Sequence, residues 1–234
     1  MDEFPPRYAI YFVPAADQPL FHFGRAMLGY DCYTGLEHER PQLNGIAPDE
    51  LAALTCEPRR YGFHATLKAP FRLLSPVAEN DLIQAFAAFV ATWKTIPVIK
   101  PCVHTLGAFI AVMPRRRCLA LDRLAAQCVE EFDRFRAPLT RKERERRSAT
   151  RLDATEIANL DRWGYPFVFD SFRFHMTLTG PVSPARHPGV LALMQEAFAR
   201  QCGSADLAID RLALLRQDAA QGHFRVLAQE AFTV

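Results

Sequence analysis

Two stretches of the chain alternate apolar and polar residues in the same way: Phe63-His64-Ala65-Thr66-Leu67-Lys68 and Phe174-His175-Met176-Thr177-Leu178-Thr179. Period-two alternation marks a strand with one face buried. In the first copy His64, Thr66 and Lys68 share a face, backed by Phe63, Ala65 and Leu67. In the second His175, Thr177 and Thr179 share a face, backed by Phe174, Met176 and Leu178. Each copy lays an imidazole and a hydroxyl side by side on an apolar foundation.

The rest of the pattern falls around these two strands. Residues 7–13 are aromatic and branched, stop at Pro14, and predict a first strand. Residues 20–28 carry apolar positions at helical spacing and end at Gly29. Residues 30–45 read as loop, and Pro48-Asp49-Glu50-Leu51 opens a short helix with acidic residues in its first turn. Pro70 closes the first motif strand. Ser75-Pro76-x-x-Glu79 has the form of a capping box with proline at the first helical position, and predicts a helix to about Trp93. Residues 98–105 and 106–113 predict two strands joined near Gly107. Residues 118–121 are either another strand or the start of the next helix, predicted over 124–135. The run Arg141-Lys142-Glu143-Arg144-Glu145-Arg146-Arg147 and a second helical pattern ending at Trp163-Gly164 predict a helical hairpin, mostly facing solvent. The second motif strand is expected within 167–178, then a helix over 189–200. The last two strands are expected over 208–215 and 224–232.

Apart from the hairpin, the second half echoes the first. The expected fold is α+β: one bilobal, duplicated domain over 1–234, with approximate halves 1–104 and 105–234 and a helical insertion at 138–164. Two antiparallel sheets flanked by helices enclose a central cleft.

Composition narrows the function. Half of the 234 residues are hydrophobic and 23% are charged, an ordinary globular balance. The net charge of +2 sets up no global field that demands nucleic acid. The acidic, proline-containing opening at 1–6 is unlike a signal peptide. No apolar run approaches the roughly 20 residues of a membrane span. Six scattered cysteines without a Cys-x-x-Cys pattern read as reduced thiols, so a cytoplasmic location is expected, with no membrane partner.

Two imidazoles facing one cleft can serve as base and acid in one reaction. Threonine hydroxyls two residues on can donate to phosphoryl oxygens. Without a carboxylate, the set is a poor site for Mg²⁺ or Zn²⁺, so neither metal nor cofactor is expected. The chemistry suits in-line attack on a phosphodiester, above all a strained cyclic one. Counting by twos adds Arg60, Lys68 and Arg173 to the catalytic faces as phosphate-binding candidates. Tyr8 and Tyr11 lie on opposite faces of the first strand, so one of them can line the cleft; Tyr11 is carried as the candidate.

Two His-x-Thr-hydrophobic copies in a duplicated α+β chain resemble the 2H phosphoesterase superfamily of cyclic phosphodiesterases and 2′-5′ RNA ligase-like proteins. The longer context resembles one branch, DUF1045, encoded beside phosphonate-utilisation genes. That context is Arg59-Arg60-Tyr61-Gly62-Phe63-His64, then Phe135-Arg136-Ala137-Pro138-Leu139, Trp163-Gly164-Tyr165-Pro166 and Phe172-Arg173-Phe174-His175. The resemblance implies a bilobal fold, His64 and His175 as the catalytic pair, Thr66 and Thr177 as phosphate donors, and a small phosphate ester such as a ribose cyclic phosphate as substrate. The alternatives are RNA cyclic-end processing, with the basic hairpin as grip, and a phosphate-ligand binder without turnover. A run of surface arginines is more often a solvated face than a nucleic-acid site, and His104-Thr105 places its hydroxyl on the wrong face to be a third copy.

Overall fold

In a computed structural model, residues 5–149 and 151–233 are described; the opening at 1–4 lies outside them. The chain is α+β, with two antiparallel sheets and helices. β1 (Arg7–Phe12) is buried along its whole length, as its unbroken apolar run requires. It lies between β2 (Ala65–Arg72) and β8 (Arg211–Gln217), antiparallel to both. β9 (Arg225–Ala231) continues from β8 at the sheet edge. On the other side β2 pairs with β6 (Met176–Thr177), then β5 (Phe109–Pro114) and β4 (Pro101–Leu106). The seven-stranded order is β4-β5-β6-β2-β1-β8-β9, and β3 (Val98–Ile99) and β7 (Leu207–Ala208) form the small second sheet. The two motif strands are thus direct neighbours at the middle of one ladder.

Parity along β1 sorts the core. Tyr8, Ile10 and Phe12 belong to the large cluster; Ala9, Tyr11 and Val13 belong to a smaller one with Phe224 and Tyr30 on the opposite side. The large cluster draws on α1 (Pro19–Leu28), α2 (Pro48–Arg59), α3 (Glu79–Thr92), α4 (Leu119–Glu131) and α7 (His187–Cys202). α1 ends at Gly29 in the left-handed region, as the sequence predicts. Gly24 inside α1 has a packing reason: a Cβ there would fall 1.9 Å from the Phe63 ring. Phe63, 1% exposed, uses that notch, and its burial contributes about 2–3 kcal/mol.

Several boundaries differ from the sequence reading. α3 starts at Glu79, not at Pro76, and its first turn is tied by the Asp81 carboxylate accepting from the Ala78 amide at 3.1 Å. Of the two readings open for residues 118–121 the helical one holds, with α4 starting at Leu119 rather than 124, and its end tightens into a 3₁₀ turn over Phe132–Phe135. The second motif strand lies within 167–178, as expected, but occupies only Met176–Thr177. The amides of Leu178 and Thr179 both donate to the Ile110 carbonyl, at 2.9 and 3.2 Å, which ends the ladder, and Phe169–Ser171 forms a 3₁₀ turn. The insertion forms α5 (Arg141–Arg147) and α6 (Ala154–Trp163), each opened by a capping box, Thr140 with Glu143 and Asp153 with Glu156. No helix among the described residues is long and apolar enough to cross a membrane.

Candidate active site

β2 begins beyond a turn at Gly62, whose φ is +73°. A Cβ at this position would also lie 2.6 Å from that of Cys32, so only glycine fits. The turn carries the Gly62 carbonyl to the imidazole, and His64 Nδ1 donates to it at 2.9 Å. A carbonyl only accepts, so Nδ1 holds the proton and Nε2 keeps the lone pair. Thr66 Oγ1 lies 3.2 Å from Nε2 and donates to it. The ring stacks on Tyr11 with centroids 3.8 Å apart.

The second copy reproduces this with a different backbone. His175 Nδ1 donates to the Arg173 carbonyl at 2.7 Å, again two residues back, again leaving Nε2 as the reactive nitrogen. The strand register supplies the relation between copies. Ala65 lies opposite Met176, both fully buried. One step either way sets His64 across from Thr177, and Thr66 across from His175, on the other face. Each imidazole therefore faces the partner copy's threonine, and the two imidazoles occupy a diagonal of about 7–8 Å.

His64, Thr66, His175 and Thr177 line one cavity of about 460 Å³, together with Tyr11 and Arg60. Burial pushes His64 down to about 4, with the nearby His175 adding to the shift against the Gly62 bond. Burial also lowers His175, partly opposed by its bond to the Arg173 carbonyl. Both shifts favour the neutral imidazole. Burial raises the Tyr11 hydroxyl well above its ordinary range, so it stays protonated. Tyr8 points the other way, its hydroxyl donating to Glu79 at 2.8 Å, which resolves the choice left by the sequence.

The remaining candidates divide. Arg60 lines the cavity, its guanidinium donating to the Ala220 carbonyl at 2.9 Å. Arg173 lines an adjoining cavity of about 830 Å³ that meets the first at Thr66, Ala69, Tyr165 and His175. Its guanidinium is held by the carbonyls of Asp170 and Phe172, at 2.8 and 2.7 Å. Lys68 corrects the face count. The partners of β2 run from Tyr11 opposite Thr66 to Ile10 opposite Lys68, so β2 carries one extra residue at Leu67. The bulge turns Lys68 away from the cavity toward α4. There its Nζ donates to the Val129 carbonyl at 2.8 Å and to Asp133 at 3.0 Å. Burial lowers Lys68 to about 8, partly offset by Asp133. Its counterpart Thr179 is also structural: fully buried, it accepts from the Ile110 amide at 3.1 Å. Neither sixth position is among the causes of the two imidazoles' shifts.

Other residues of the cavity are not among the candidates, although Arg7 shares the β1 face of Tyr11. Arg7, Tyr61, Arg146, Arg147 and Tyr165 all line it. Arg147 is the clearest case: its guanidinium donates to the carbonyls of Gly164 and Pro70 and lies 5.8 Å from the Tyr165 ring centre. Helical spacing in the charged run held the signal. Glu143 caps α5 and pairs with Arg72 of β2, so the face carrying Glu143 and, one turn on, Arg147 points to the sheet. Among the described residues no three His, Cys, Asp or Glu side chains are grouped to hold a metal.

The chain belongs to the family described as Protein of unknown function (DUF1045), whose model matches residues 66–225. This is the branch that the motif context resembles. The chain is 38% identical over 215 residues to ribose 1,5-bisphosphate phosphokinase PhnN of Janthinobacterium sp. (strain Marseille), covering 91% of this chain and 48% of that protein. It is 31% identical over 228 residues to the protein of the same name from Laribacter hongkongensis (strain HLHK9), covering 94% and 50%. The chain thus spans about half the length of the curated relatives it matches. Among solved structures it is similar to E. coli LigT complexed with NADP+, at 13% identity and TM-score 0.43, over 99% of this chain and 100% of that one. A conserved protein of unknown function from Agrobacterium tumefaciens str. C58 is similar at 15% identity and TM-score 0.42, over 96% and 86%.

Proposed function

We propose that the chain is a metal-independent phosphodiesterase of the 2H type, hydrolysing a small cyclic phosphate by paired histidine acid–base catalysis. The observation that carries this is the pair of imidazoles, each with Nδ1 fixed by a carbonyl two residues back and each facing the other copy's threonine. One Nε2 takes a proton from water as its oxygen bonds to phosphorus. The other, protonated, gives its proton to the ester oxygen as the P–O bond breaks. Thr66 and Thr177 donate to the equatorial phosphoryl oxygens as charge builds there. Burial favours the neutral form of both rings, and an anionic substrate beside one of them favours the imidazolium that serves as the acid.

The relatives' names bear on the substrate. They describe kinases of a ribose bisphosphate, twice the length of this chain. This chain contains no Gly-Lys pair, so it lacks the Gly-rich, lysine-bearing loop that cradles nucleotide phosphates. Opening a cyclic phosphate on ribose leaves a phosphomonoester on the sugar, a group that the compound in those names also carries. A ribose cyclic phosphate is accordingly the substrate class we infer. His64→Ala and His175→Ala are each expected to lower kcat about 10³-fold, and Thr66→Val and Thr177→Val about 100-fold. EDTA is expected to leave the rate unchanged. Hydrolysis that survives both histidine substitutions would overturn the proposal.

A further inference from the structure

The cavity that holds both histidines is lined by four arginines, Arg7, Arg60, Arg146 and Arg147, and by a single carboxylate, Glu57. A cyclic phosphodiester carries one negative charge, and the two threonines with the imidazoles already meet it. Three of the guanidiniums are unneutralised or nearly so. Arg147 is held by main-chain carbonyls, which position it without cancelling its charge. Arg60 lies 4.0 Å from Glu57 and otherwise donates to a carbonyl. Arg146, exposed at the end of α5, has no ion pair among the described residues. Like charges are crowded here: burial lowers Arg7 and Arg147, and Arg146 lowers both further. Such crowding of like charge is unfavourable by itself and is relieved by a polyanion.

We infer that the arginine side of this cavity is a second phosphate subsite, so that the preferred substrate is a small cyclic phosphodiester bearing a separate phosphomonoester. Arg60, Arg146 and Arg147 determine that preference. A phosphomonoester dianion offers the three oxygens that converging guanidinium forks bind best. The inference rests on the hydrolase reading above and deepens it. It also assigns a task to the inserted helix α5, which supplies two of the four arginines.

The test uses ribose cyclic phosphates closed across O1–O2 or O2–O3, each with and without a 5-phosphate. The phosphorylated member of the accepted pair is expected to show kcat/KM about 100-fold higher. Arg146→Ala and Arg147→Ala are expected to shrink that ratio at least tenfold each, with Arg147→Lys retaining part of it and circular dichroism confirming the fold. A ratio near one in the wild type, or a ratio unmoved by Arg146→Ala, would overturn the inference. So would faster turnover of a trinucleotide ending in a 2′,3′-cyclic phosphate. Calorimetric titration with ribose 5-phosphate against ribose separates this subsite from the hydrolase reading. Ribose 5-phosphate binding that is lost in Arg146→Ala supports the subsite even if no cyclic phosphate is hydrolysed. Equal binding of the two sugars overturns it whatever the activity.

Discussion

The two motif copies end in the same local geometry and reach it by different means. Around His64 the scaffold is continuous: an eight-residue strand, a glycine turn with positive φ, a tyrosine stacked on the ring, and Phe63 seated in a notch of α1. Around His175 the strand is two residues long and the approach is a 3₁₀ turn followed by irregular chain. Yet each imidazole donates to the carbonyl two residues back, and the register sets each across from the other copy's threonine. What the copies share is a relation between backbone carbonyl, ring and hydroxyl. The regular structure around it is free to differ.

The sixth positions test that comparison most severely. Lys68→Met would leave Asp133 to Arg136 and Arg162 and remove one partner of a buried pair. A loss of about 3 kcal/mol in stability is expected, read by denaturant unfolding, with a smaller effect on kcat than Thr66→Val. Thr179→Val removes the acceptor of the Ile110 amide and is expected to cost about 1–2 kcal/mol. If either variant loses activity with unfolding midpoint unchanged, the sixth position belongs to the site after all.

A second contrast lies at the carbonyl that orients each ring. Gly62→Ala would place a methyl against Cys32 at a positive φ, and is expected to destabilise by about 1–3 kcal/mol and to displace His64. Arg173→Ala removes an exposed side chain while keeping its carbonyl, and its unfolding midpoint is expected to stay within about 0.5 kcal/mol of wild type. Equal losses from the two would mean that the copies are supported alike.

A further contrast is one of pH. The folded state holds His64 down at about 4, below its unfolded value, so between the two the unfolded chain binds more protons. Stability from this group is complete above about pH 6.5 and falls as the pH drops toward 4. His64→Gln is expected to flatten that part of the stability profile. An unchanged slope would show that the ring is not desolvated in solution.

Strand parity made much of this legible. Counting by twos from β1 separates Tyr8 from Tyr11, and counting within the motifs puts His64 with Thr66 and His175 with Thr177. The same count failed at Lys68 because a bulge at Leu67 inserts one residue, and no side chain type at that position announces it. The arginines of α5 were missed for another reason. A highly charged helix is usually solvated, and only the capping box with the Glu143–Arg72 pair shows which face turns inward. The joining of both motif strands in one ladder also lay beyond local pattern, since it depends on pairing between segments far apart in the chain.

That ladder has a mechanical consequence. The spacing between the two imidazoles is gauged by main-chain pairing across adjacent strands, Ala65 against Met176. The inserted helix α5, joined to this ladder through the Arg72–Glu143 pair, can then vary in its arginines without altering that spacing.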